Sequence, residues 1–232
     1  MTEPRATDLI DIACRLWAGS FYGLLSTHST PHPGYPFGSI APYCLDDDGR
    51  PLLLLSHLAQ HSRNLQRDPR CGLLLSDARQ GDPQQAARLS VMADCIALGS
   101  DESVAVDRYF RYFPHARPYF EQLNFRFFRL DPVALHLNAG FAAARWIGTD
   151  RVVEKRGFAP GQESLLIQSI ADRAADLANF FVDHPTDPAA PVEIAGIDRR
   201  GVDLRRGQSL RRIAFKRELG VEAHASEVLA MF

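Results

Sequence analysis

Leu9, Ile12, Ala13, Leu16 and Trp17 recur at helical spacing, with Asp8 suited to a first turn and Gly19 beyond the last, so residues 6–18 are expected to form an amphipathic helix. FYGLLST reads as a strand and the Pro/Gly-rich HSTPHPGYPFG as a loop. GSIAPYCLDDDGRPLLLLS reads as two strands around the turn residues Asp46-Asp47-Asp48-Gly49, with Pro42 marking an edge or bulge. A short helix is expected over 57–67, stopped by Asp68-Pro69, and CGLLLSD as a further strand. After a loop at 78–87, ARLSVMADCIALG reads as a long strand. SDESVAVDRYFRYF reads as a helix with a serine cap, and PHARPYF as irregular. NFRFFRLDPVALHLNAGFAAARW reads as two strands around Asp131-Pro132.

Beyond residue 150 the pattern changes. TDRVVEKRGFAPGQ is a polar connection, and Leu166, Ile170, Ala174, Leu177 and Phe181 make 163–183 a helix. Three short strands follow in VEIAGIDRRGVDLRRGQSLRRIAF, then a closing helix near 222–231. Strands in succession, rather than in βαβ alternation, predict an α+β protein with an antiparallel barrel. The expected division is a barrel domain over 1–150 and a small α+β domain over 151–232.

Composition narrows the function classes. With 26 Lys+Arg against 28 Asp+Glu in 232 residues, no basic excess favours nucleic acid or an anionic membrane. No apolar run approaches the ~20 residues of a membrane span. The first residues lack a signal-peptide core, so a cytoplasmic protein is expected. Cys14, Cys44, Cys71 and Cys95 are scattered among apolar neighbours and read as buried thiols. No G-x-G-x-x-G, P-loop or G-x-S-x-G pattern occurs.

The chemistry-bearing stretch is SHLAQHSRNL, residues 56–65. With Ser56 as cap, the first helical amides would form an anion site. His57, His61 and Asn64 would share one face and Arg63 would add a guanidinium fork, while Leu58, Ser62 and Leu65 would pack inward. A solvated surface helix is the plainer alternative. HLAQH lacks the glutamate of H-E-x-x-H, so no metal site is expected.

The strand pair around D-D-x-G-x-P, the S-x-L-A-x-H-x-R-N-L stretch and the D-P-R before an apolar strand resemble the pyridoxamine 5'-phosphate oxidase-like, FMN-binding split-barrel superfamily. Within it they resemble the branch that includes haem-utilisation proteins, whose appended small α+β domain GIDRRGVDL and RRIAF resemble. The resemblance implies a split barrel, a homodimer with the site at its interface, and FMN as cofactor, hence an oxidoreductase acting on a small-molecule substrate. Carried over by residue, it implies phosphate contacts from Ser56, His61 and Arg63, with Asn64 a further candidate. It places Ser39, Ile40 and Ala41 along the flavin ring and gives Arg88 a polar contact to it. No catalytic residue is assigned. The alternatives are haem binding with oxidative opening, and a non-catalytic flavin or haem binder. His136, His184 and His224 are candidate iron ligands, none of them singled out. Two departures stand out: Ala139-Gly140-Phe141-Ala142 replaces the branch's G-G-F-G, and LLIQSIADRAADLANFF lacks the histidine- and asparagine-rich start of the branch's appended helix. Against the oxidase's substrate segment, GFAAARWIGTD offers only Arg145 as an anion contact.

Overall fold

The computed structural model describes residues 6–77, 84–99, 103–140, 143–182 and 186–231. The candidates Phe141, Ala142 and His184, and the serine cap expected at residue 100, lie outside these residues. The chain divides into two compact units. The first comprises residues 1–45, 50–102 and 117–154, and the second residues 46–49, 103–116 and 155–232.

The first unit opens with helix α1 (Ala6–Gly19), whose buried Leu9, Ala13, Leu16 and Trp17 join the barrel's core cluster. Each of the two buried leucines contributes about 1.5–3 kcal/mol. Tyr43 donates its hydroxyl to the Trp17 carbonyl over 2.9 Å, supplying one of the partners that a helix end lacks. Seven strands follow: β1 (Tyr22–His28), β2 (Pro36–Leu45), β3 (Pro51–Ser56), β4 (Arg70–Ser76), β5 (Arg88–Ala97), β6 (Phe125–Asn138) and β7 (Ala144–Ile147). Their order is β3-β2-β1-β4-β5-β6-β7, every pairing is antiparallel, and β6 also pairs with β3. Six strands therefore close into a barrel and β7 extends it, as an α+β split barrel requires.

Two proline positions differ from expectation. The run around Asp131-Pro132 is one strand, β6, rather than two. Ala93 faces Pro132 while Met92 faces Ala134, so Val133 is an extra, bulged residue. The bulge absorbs the missing proline donor while β6 stays paired to β5. Its first part serves β3 and its last part β7. Pro42 lies within β2. The Tyr43 N–H donates to the Phe21 carbonyl, so the Pro42 nitrogen faces the opposite edge, where pairing with β3 starts only at Tyr43.

Between β3 and β4, helix α2 spans Gln60–Arg67. The segment expected to be irregular after residue 114 contains a short helix, α4 (Arg117–Gln122), preceded by a 3-10 turn at Pro114–Ala116.

The second unit contains the turn Asp46–Gly49, helix α3 (Ser103–Tyr112), helix α5 (Gln162–Ile170) and the sheet β8 (Val192–Asp198), β9 (Gly201–Arg206), β10 (Ser209–Ala214). It closes with α6 (Ala225–Leu229). In the turn, the Asp46 carboxylate accepts the Asp48 N–H at 3.0 Å and Gly49 takes φ +76°, a region that favours glycine. The expected helix 163–183 is α-helical only to Ile170 and continues as 3-10 over Ala171–Phe181. The polar connection contributes to both cores: Val152 is buried in the first unit, Arg156 and Phe158 in the second. In the second unit Arg212 bridges the buried carboxylates of Asp198 (2.5 Å) and Asp203 (3.0 Å), and Tyr112 donates its hydroxyl to Asp203 at 2.6 Å.

Candidate functional site

Ser56 is not the helix cap. It ends β3 opposite Phe125, its hydroxyl accepts the Leu58 N–H at 3.3 Å and its carbonyl accepts the Ala59 N–H at 3.1 Å. This serine turn uses up the amides expected to open the helix, and α2 starts at Gln60 with Ala59 as its cap residue. The amides of Gln60 and His61 are then the ones without an intrahelical acceptor.

Asn64 and Leu58 also differ from their expected faces. Leu58 is exposed, and Asn64 is fully buried together with Ser62 and Leu65. The Asn64 Oδ1 accepts the Thr30 N–H (3.0 Å), the Thr30 hydroxyl (2.9 Å) and the Gln60 amide (2.8 Å), and its Nδ2 donates to Thr27 Oγ1 (2.9 Å). Its amide is thus committed to anchoring α2 on the end of β1. Thr27, Thr30 and Gln60 carry no sequence signal for this role, because a threonine on a strand and one in a loop look ordinary until the fold brings them together.

His61 is half-buried. Its Nε2 lies out of solvent without a hydrogen-bond partner, and burial lowers its pKa, favouring the neutral ring. Ser39 Oγ is a second buried polar atom without a partner. Arg63 is exposed. Arg88, at the start of β5, is half-buried and donates to the Gln84 and Ala86 carbonyls at 3.3 and 3.4 Å. On β2, Ile40 points outward at 71 % exposure while Ala41 is buried. The strand's alternation turns the backbone groups of Gly38 and Ile40 away from β1, onto the edge that β3 does not reach.

The barrel's outer face has a feature that the linear sequence conceals. Register aligns Ile40 with Leu24, Leu24 with Leu74, Leu74 with Ser90, Ser90 with His136 and His136 with Trp146. All six side chains point outward, since Leu25, Leu73, Leu75, Leu89, Leu135 and Leu137 beside them fill the core. The row runs from an exposed isoleucine to Trp146, itself 63 % exposed. The His136 and Trp146 rings meet edge to face, 4.9 Å between centroids. The next row, Gly38, Ser26, Gly72, Met92 and Ala134, is small except for the 53 % exposed Met92. Beside it opens a cleft of 530 Å³, lined among others by Ser26, His28, Gly34, Arg70, Met92 and Val133. That volume is within the ~300–1,000 Å³ usual for small-molecule sites. Among the described residues, no helix is long and apolar enough to cross a membrane.

The six closed antiparallel strands with β7 as an extension make this a split-barrel fold. The chain belongs to the CREG β-barrel family, whose model matches residues 4–154. A stretch of 127 residues is 32 % identical to the chloroplastic non-canonical haem oxygenase HOZ of Arabidopsis thaliana, covering 54 % of this chain. The match spans 39 % of that relative, so the chain corresponds to well under half of its length. Among solved structures, a protein of unknown function from Agrobacterium tumefaciens superposes with a TM-score of 0.81 at 21 % identity, covering 100 % of this chain and 99 % of that one. A haem-binding protein from Mycobacterium smegmatis has the same fold at TM-score 0.58 and 21 % identity, covering 100 % and 96 %.

Proposed function

We propose that this chain binds haem on the outer face of its barrel, as a homodimer, and acts in oxidative opening of the macrocycle. The observation that carries the reading is the outward row from Ile40 to Trp146. Several large apolar side chains aligned on one solvent-facing surface mark a binding surface rather than a chance exposure. The donor set fits: the row is largely apolar, its β6–β7 end sets the His136 imidazole against the Trp146 indole, and the cleft beside it supplies Arg70 and His28 at its margin. Bound haem would supply the iron and the conjugated ring; the chain's residues would hold it, exclude water from its faces and set its orientation. The 32 % identity to a haem oxygenase supports the same reading. A second copy covering the face would remove the remaining apolar surface from water.

A flavin-dependent oxidoreductase is the second reading, and a specific set of atoms favours it. Ser39 Oγ and His61 Nε2 are buried without partners, the Gln60 and His61 amides are open, and the Gly38 and Ile40 backbone lies on an unpaired edge. Arg63 would supply the phosphate charge, because burial keeps His61 neutral and Asn64 is already committed. That single exposed cation makes the phosphate anchor weaker than the apolar face is as a haem surface. Titration of the purified chain with haemin and, separately, FMN tests the two. Retention of haemin through gel filtration supports the first reading, and retention of FMN alone would replace it with the second.

A further inference from the structure

We infer that His136 is the side chain that ligates the haem iron, with Trp146 as the residue that positions its ring. The inference rests on the haem reading above and assigns the ligand within it. Iron ligation needs an imidazole nitrogen that is not already engaged, that faces the bound ring and is held in a fixed plane.

Most of the described histidines fail one of these conditions. His57 follows the end of β3, a strand outside the row, where its Nδ1 meets the Asn124 carbonyl at 3.0 Å. The free nitrogen of His61 is enclosed at α2 and out of solvent, so it does not face a ring lying on the exposed side chains of the row. His32 lies in the loop after β1. His115 and His224 belong to the second unit rather than to the barrel strands that carry the row. That leaves His28 and His136 on the outer face. His28 stands at the exposed end of β1, among the polar groups of the cleft margin, Arg70 and Asp94.

His136 stands within the apolar row itself. It is flanked by Ser90 on one strand and Trp146 on the other, and neither of its ring nitrogens has a hydrogen-bond partner among the described residues. The indole meets the imidazole edge to face at 66°, a contact that restricts the plane of the imidazole. Leu135 and Leu137 on either side are fully buried, so the strand cannot rotate the imidazole inward without losing its core. Arg88 and Asn138, paired to each other one row along, share this face and supply polar groups within reach of an acidic ring substituent.

The test uses the full chain loaded with haemin, read by visible absorption and electron paramagnetic resonance, with circular dichroism to confirm folding. Wild type is expected to give a nitrogen-ligated iron signature. His136→Ala and His136→Gln should both lose it and weaken haemin binding tenfold or more, and added imidazole should restore the spectrum of His136→Ala. Trp146→Ala should keep the signature with several-fold weaker binding, and His28→Ala should match wild type. An unchanged spectrum in His136→Ala, or loss in His28→Ala instead, overturns the assignment while leaving haem binding intact. Wild type that takes up no haemin overturns the underlying reading as well.

Discussion

Asn64 donates through Nδ2 to the Thr27 hydroxyl over 2.9 Å, tying α2 to the end of β1 across 37 positions of sequence. The same side chain receives three donors on its oxygen, so one buried amide fixes where the helix start lies relative to the barrel.

Asn64→Ala should therefore lower stability by about 1–3 kcal/mol, since it removes a fully buried amide that makes four hydrogen bonds and leaves the buried Thr27 hydroxyl without its donor. Urea denaturation at unchanged slope checks it. A loss no larger than a surface substitution would mean that water or neighbouring groups replace those bonds.

The two buried carboxylates of the second unit should respond to pH with opposite sign. Burial raises the pKa of Asp198, but the neighbouring Arg212 and Arg156 outweigh it, and the net direction is down. For Asp203, burial prevails over Arg212 and the pKa rises, with Asp198 adding repulsion. A lowered folded pKa contributes stability that is present above the unfolded value and lost as pH falls through the folded one. A raised one contributes stability present below the unfolded value and lost as pH rises through the folded one. At neutral pH, Asp198→Asn should cost more than Asp203→Asn, and the gap should shrink as pH falls towards ~4. Melting temperatures across that range decide it; a gap that widens on acidification would reverse the two assignments.

Cys71 and Cys95 should resist alkylation in the native state. Burial pushes both thiols up to about 12, so almost no thiolate forms at mildly alkaline pH. Cys14, only half-buried, should be labelled first by iodoacetamide, as followed by mass spectrometry. Early labelling of Cys71 would show that the strand pair β4–β5 opens readily.

Leu24 and Ile40 are neighbours on the outer face, paired by register and both exposed. Replacing both with glutamate should convert a dimer to a monomer in analytical ultracentrifugation, with little change in the monomer's melting temperature. A wild-type monomer, or a dimer unaffected by the two charges, would remove this face from the interface.

How much of this was legible in the sequence depends on the range of the interaction involved. The Asp46–Gly49 turn, the strand after Asp68-Pro69 and the helix of Leu9 to Trp17 are set by local chemistry and appear where the pattern predicts them. Barrel closure between β3 and β6 followed from family resemblance, because local pattern does not name a strand's distant partner. Continuity of β6 through Pro132 was hidden, since a bulge repairs the proline only when β5 is alongside. Ser56 departs from the expected cap because a serine hydroxyl serves a turn as readily as a helix cap. Asn64 was placed outward with His61, yet its partners Thr27 and Thr30 come from a different element. The row from Ile40 to Trp146 spans six strands, so only register reveals it.

The most direct measurement is the visible spectrum of the purified full chain after haemin addition and gel filtration, with FMN as the parallel sample. The account predicts a shifted Soret band that co-elutes with the protein and is lost in a Leu24→Glu, Ile40→Glu variant. Haemin that separates completely from the protein, or flavin bands retained in its place, would contradict it.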